Sequence, residues 1–397
     1  DPAYRLFHGF KVSEIYFQYD IYLSLLGLAW MKMNMDIGYF AYLAQLSFFL
    51  FFVGSFFFSD RFFKHKGLSV FFIITLILVR FYCVWADNPT IFQVTPIRVD
   101  LWIVLLLLVN WKGINHWVVG VCLGLLIIFH RNLGLIYSVA YIELLVVMFM
   151  LDVISLVKEN KLNGKEVGAL FIKHLRTDII NVGLILASVA LCFILFHEFF
   201  SASALIYKEI GVGMLPVAKR SFYWYVPVLL GCLSVFLYYF REKVGPKYFA
   251  TAIFIMLLAV GNSMYFFGRS HENNVLNITG LLVLVLFVLF DVLIFTAPAA
   301  PIVVVESSAK GKGKNVVAEK QPFVTMRKAV FSLPVLFILF VGFFYGDRIA
   351  EKTGIQMANF QEGNYASPFP PMSMDTAAVK EITHNSQNVY FLDFSTD

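Results

Sequence analysis

Long apolar runs separated by short polar breaks make up most of the chain. A run such as "YFATAIFIMLLAVGNSMYFF" (248–267) has no charge and the length that a helix needs to cross the ~30 Å hydrocarbon core of a bilayer. The pattern predicts about ten such spans, at roughly 36–59, 67–86, 99–111, 114–130, 132–154, 178–198, 222–240, 247–267, 274–296 and 329–345. The runs are continuous rather than alternating, so they predict helices and not the short two-residue periodicity of a transmembrane barrel. The apolar stretch at 20–33, "DIYLSLLGLAWMKM", is too short to cross and predicts an interfacial or re-entrant helix.

The polar breaks carry a second pattern. Cytoplasmic loops of membrane proteins are enriched in Lys and Arg. With "RFFKHK" (61–66) placed inside, alternation also puts 155–177, 241–247 and 298–328 inside. These loops with Lys112 hold 18 Lys and Arg, against 6 in the breaks assigned outside. The expected organisation is therefore a first extracytoplasmic segment at 1–35 with interfacial helices and a transmembrane domain at 36–345. A flexible Ala/Pro/Gly/Lys-rich cytoplasmic linker lies within it at 298–327. Residues 346–397 turn polar, and "MDTAAVKEITHNSQNVYFLDF" reads as a helix and then a strand, the start of a soluble extracytoplasmic α/β domain. One further span is expected upstream of Asp1.

Composition agrees with a polytopic all-α membrane protein. Of 397 residues, 59% are hydrophobic and 14% charged, where a soluble domain carries about a quarter charged residues. The net charge of +5 comes from loop lysines and arginines that set topology, so it gives no reason to expect nucleic-acid binding. Cys83, Cys122, Cys192 and Cys232 stand singly in apolar helices, without metal or disulfide spacing. There is no phosphate-binding Walker loop and no serine nucleophile elbow.

Ionisable residues collect on the predicted outer face. The first segment holds Asp1, Tyr4, Arg5, His8, Glu14 and Asp20. Later breaks add Arg98 and Asp100 in "TPIRVD", His130 and Arg131 in "FHRNLGLIY", Lys219 and Arg220 in "VAKRSFYWY", and Arg269, His271 and Glu272 in "GRSHENN". Charges near membrane depth are costly and point to function. Acids early in the chain, with single arginines at later helix ends, suit group transfer from a lipid phosphate. A carboxylate can take the proton of an attacking hydroxyl, and Arg can hold a phosphate through paired hydrogen bonds. A transporter would instead place charge at mid-membrane, and Arg80 and Glu143 keep that alternative open.

Three stretches resemble the integral-membrane glycosyltransferases of the GT-C superfamily: "DPAYRLFHGF…IYFQYDIYLSLLGLAWMK", "TPIRVDLWIVLLLL…HWVVGVCLGLLIIFHRNLGLIYSVAYIELL" and "GRSHENNVLNITGLLVLVL". The resemblance implies transfer of a sugar from a polyprenyl-phosphate donor to a glycan, lipid or protein acceptor. The site would face away from the cytoplasm, in a bacterial inner membrane. It assigns Asp1 as the catalytic carboxylate, and Tyr4, Arg5, His8, Glu14, Asp20, His271 and Glu272 to substrate binding. Arg98, Arg131, Arg220 and Arg269 would hold phosphate. No tightly bound metal is implied, although some members use a divalent cation (Mg or Mn). Pro2 follows Asp1 where the family often has a second acid, which leaves Glu14 or Asp20 to supply it. A polymerase or ligase acting on lipid-linked glycans, a lipid-linked sugar flippase and a non-catalytic assembly scaffold are the competing readings.

Overall fold

A computed structural model describes residues 2–11, 15, 21–35, 40–83, 95–160, 163–195, 217, 219, 221–267, 272–296 and 323–361. Among these the secondary structure is helical, with no strand. Two small helices, α1 (Pro2–Phe7) and α2 (Ile21–Lys32), precede α3 (Phe40–Phe62) and α4 (Lys66–Ile77), which runs into a π turn at Leu78–Tyr82. A single turn, α5 (Pro96–Val99), leads to α6 (Trp102–Lys112), α7 (Trp117–Phe129), α8 (Arg131–Lys158) and α9 (Gly164–Leu195). After a 3-10 turn come α10 (Tyr225–Val244), α11 (Pro246–Phe267), α12 (Glu272–Thr296) and α13 (Phe323–Gln361).

Among the described residues, five helices are long and apolar enough to cross a membrane: Tyr42–Phe62, Arg131–Lys158, Phe222–Val244, Val275–Thr296 and Val330–Ala358. The bent pair Gly164–Arg176 and Asp178–Ile194, at 57°, would make a sixth. The apolar pattern predicts about ten, and part of the difference has a physical cause. The runs at 99–111 and 114–130 fold as α6 and α7, of 11 and 13 residues. At 1.5 Å per residue these rise only about 16 and 20 Å, short of the ~30 Å core.

Burial follows hydropathy in one place above all. The apolar window of α12 is 72% buried, whereas those of α8 and α13 are 17% and 11% buried. A helix that is apolar all round belongs inside. Accordingly α12 is the central column, packed against α4, α10, α11 and α13. The tightest flank is α7 on α9. A Cβ added at Gly120 would lie 2.6 Å from Asn181 Oδ1, and one at Gly124 would lie 2.4 Å from Ser188 Oγ. Small residues four apart let the two backbones approach, the usual device where burial from water cannot drive helix association.

The bundle has a basic end. The side chains of Lys112, Lys158, Lys243 and Lys247 lie there, at the turns predicted to be cytoplasmic. Lys247 donates to Asn110 O (3.3 Å) and Lys158 to Tyr238 Oη (3.1 Å). Asp291 closes this end from within. Its carboxylate, fully buried, accepts from Lys64 N (2.9 Å), His65 N (3.0 Å) and Tyr248 Oη (2.9 Å). An aspartate in the apolar run "FVLFDVLIF" thus ties α12 to the α3–α4 turn and to α11. At the opposite end α13 continues past its expected limit at 345 to Gln361, but Tyr345 is non-helical (φ −120°, ψ 15°) and marks a kink at that limit.

Candidate functional site

At the end away from the lysines, several polar side chains are sunk into the bundle. Arg80 and Asp100 are buried, with 0% and 1% exposure. Arg80 donates to Asp100 Oδ2 from Nε (3.1 Å) and Nη2 (2.6 Å), and its Nη1 lies 3.5 Å from Leu276 O on α12. Trp102 Nε1 donates to the other carboxylate oxygen (2.9 Å). Local geometry places these groups. The π turn carries Arg80, and Asp100 (φ −116°, ψ 25°) interrupts the helix between α5 and α6. Because the pair satisfies its own charge, Arg80 does not read as the isolated mid-membrane cation of a transporter.

Three helices give the depth of this node. Arg80 lies 14 residues along from Lys66, Leu276 lies 15 from Asp291, and Trp102 lies 10 from Lys112. These separations are about 21, 22 and 15 Å along a helix axis. The node therefore stands roughly two thirds of the way across a ~30 Å core, measured from the basic end.

Beside it, α2, α6 and α7 enclose an apolar groove of about 400 Å3. Leu101, Val104 and Leu108 form one wall, and Val121 and Leu125 the other. Tyr22 and His130 complete a lining that is almost wholly apolar. Val104, Leu125 and Phe129 are exposed at 48%, 49% and 42%, so the groove opens on an exposed apolar flank. Tyr22 joins the two segments behind it. Its hydroxyl donates to Ile97 O, next to Arg98, and its ring lies 6.0 Å from that of His130, next to Arg131. Arg98 and His130 are buried and Arg131 is half-buried.

The structure thus brings the backbone at Ile97 and the ring of His130 to Tyr22 at the groove, while Arg98 and Arg131, the next residues in each segment, are not among the residues that line it. Tyr4, Arg5 and His8 fall elsewhere on the surface of α1. Tyr4 is 59% exposed and stacks on His8 (4.3 Å), while Arg5 lies over Phe10 (5.9 Å). The α1 turn rests on α2 at Gly27, where a Cβ would meet Ala3 Cβ at 3.0 Å. Asp1, Glu14, Asp20, Arg220, Arg269 and His271 lie outside the described residues, and Glu272 is described only as the first residue of α12. Among the described residues no group of three His, Cys, Asp or Glu side chains could hold a metal ion. The first-loop acids and His271 are not among those described.

Two features escaped the reading of the sequence as a face of separate charges. The Arg80–Asp100 pairing is one, although each residue stood out singly. Tyr22 is the other, lost among the aromatics of an apolar segment. The only available signal was the rule that a charge within an apolar run needs a partner at the same depth. Glu143, the other mid-span charge, is exposed on α8.

No protein-family description, curated protein or solved structure matches this chain.

Proposed function

We propose that the chain is a membrane glycosyltransferase that takes its sugar from a polyprenyl-phosphate donor. The observation that carries this reading is the open apolar groove at Tyr22 and His130, where Tyr22 meets the Ile97–Arg98 segment and His130 precedes Arg131. A groove of this kind suits an isoprenoid chain entering sideways from the bilayer, and an arginine brought to it from either segment suits the phosphate. The acceptor hydroxyl then attacks the anomeric carbon and a first-loop carboxylate, Asp1 foremost, takes its proton. The bond from that carbon to the phosphate oxygen breaks, and polyprenyl phosphate leaves with the electron pair. The reading includes about ten spans, an extracytoplasmic α/β domain after residue 346 and a site opening to the periplasm of a bacterial inner membrane. A divalent cation bridging carboxylate and phosphate is compatible with it.

The test is sugar transfer by the purified full chain in liposomes, with labelled polyprenyl-monophosphate sugars and, separately, oligosaccharide diphosphate lipids. Transfer from a monophosphate donor, lost in Asp1→Asn and Arg98→Ala, is the expected result. Transfer only from the diphosphate lipid identifies a glycan polymerase or ligase instead. Donor movement across the bilayer without transfer identifies a flippase.

A further inference from the structure

We infer that Arg80 and Asp100 form a positioning pair that sets the α5 turn, and Arg98 with it, against the Tyr22 side of the groove without touching the ligand. This rests on the proposed function. Asp100 N donates to Pro96 O (2.9 Å), and the backbone N–H groups of Arg98 and Val99 are bound to Thr95 O (3.0 and 3.2 Å). The carboxylate of Asp100 and the turn that carries Arg98 therefore move as one unit. On one side, the two-point contact from Arg80 anchors that unit to the π turn, and Trp102 fixes the remaining carboxylate oxygen. On the other side, the Tyr22 hydroxyl holds Ile97 O. Arg80 Nη1 reaches toward Leu276 O, so the outer part of α12, which follows the 268–271 loop, is referred to the same guanidinium.

Packing leaves this arrangement little room. A Cβ at Gly280 of α12 would meet Asp100 Oδ1 at 2.8 Å and Trp102 Cζ2 at 3.1 Å. The bare backbone of α12 is the wall against which the carboxylate rests. Stability alone does not account for the pair. Well-packed apolar residues commonly replace a buried ion pair at no cost or with a gain, because two charges lose their hydration on burial. A guanidinium that donates twice to one carboxylate oxygen while an indole N–H holds the other instead fixes orientation, which apolar packing would do less sharply. The π turn that carries Arg80 is itself a form often found at functional sites.

Two substitutions perturb the pair without removing either charge: Trp102→Phe deletes one hydrogen bond to Asp100, and Gly280→Ala pushes on its carboxylate. Each is measured in the full chain in nanodiscs, beside wild type and Arg98→Ala. The readouts are thermal stability and affinity for decaprenyl phosphate and for the neutral alcohol decaprenol. The expected result is that both variants melt below wild type but stay folded and keep their decaprenol affinity. Their preference for the phosphate over the alcohol falls roughly tenfold, the scale of one charge-assisted hydrogen bond. The positioning role is overturned if that preference stays at the wild-type value, or if both ligands are lost together with thermal stability, as a merely structural pair predicts. If wild type shows no phosphate preference, or if Arg98→Ala leaves it unchanged, the proposed function falls and the positioning role with it.

Discussion

Replacing Asp291 by Ala strands two backbone amides and the Tyr248 hydroxyl, while the His65 ring, 3.3 Å from Oδ1 and partly exposed, can turn to water. The carboxylate receives Lys64 N, His65 N and Tyr248 Oη at 2.9, 3.0 and 2.9 Å. The two amides belong to a turn whose residues are only partly covered, so water at the bundle's basic end can reach them, and each costs about 1 kcal/mol. Tyr248 is 6% exposed and has no such recourse, so its orphaned hydroxyl costs about 2 kcal/mol. Asp291→Ala is thus expected to destabilise the bundle by about 4 kcal/mol. Tyr248→Phe leaves the amide contacts in place and costs about 1.5 kcal/mol, the value of one hydrogen bond to a charged acceptor. The double variant should be milder than Asp291→Ala, at about 2 kcal/mol, because no hydroxyl is left orphaned, giving a coupling of about 3.5 kcal/mol. Equilibrium unfolding of the four proteins in mixed micelles, followed by tryptophan fluorescence, measures this cycle. If the two costs simply add, or if Asp291→Ala unfolds with wild type, the capping role is refuted.

Other consequences are simpler to state. Gly134→Ala places a Cβ 2.2 Å from Ile127 N, a backbone atom that cannot rotate away, so folded yield in size-exclusion chromatography should collapse. Gly124→Ala meets Ser188 Oγ, the end of a side chain that can turn aside, and should remain monodisperse with a lower melting temperature. Tyr141→Phe deletes the hydroxyl that donates to Asp178 Oδ1 (3.1 Å) and accepts from Asn181 Nδ2 (2.8 Å). It should cost about 1–3 kcal/mol in the same unfolding assay. Glu143 lies 12 residues from Arg131 and 15 from Lys158, near the middle of α8, and is exposed. Glu143→Leu should make insertion of the isolated α8 segment more favourable by about 3 kcal/mol in a translocon assay, and an unchanged insertion would place Glu143 outside the hydrocarbon.

What the sequence revealed depended on how local the signal was. Alternating lysine-rich turns follow from charge alone, and Lys112, Lys158, Lys243 and Lys247 do share one end. The polarity change at 345 coincides with a kink at Tyr345, but the helix and its candidate span run past it, to Gln361 and Ala358. The depth of α6 and α7 was not legible. Apolar residues continue across "VDLWIVLLLL", and only the backbone at Asp100 shows that the helix restarts. The candidate site divides in the same way. Arg98 and Arg131 could be picked out as charges at helix ends, but the meeting of their segments at Tyr22 depends on a contact 75 residues along the chain. Asp291 went unmarked because a single acid within an apolar run has the same pattern whether it faces lipid, a ligand or two backbone amides.

The short α6 and α7 also have an electrical consequence. The Arg80–Asp100 level lies about 20 Å from the basic end, which leaves about a third of a ~30 Å core on the far side. An anion brought to that level from the far side traverses the same fraction of any voltage held across the bilayer. Moving one charge through the full field is worth about 2.3 kcal/mol per 100 mV, so this partial journey is worth about 0.8 kcal/mol, or about fourfold in occupancy. With the lysine-bearing side negative, the field would oppose entry of an anionic headgroup and assist its departure.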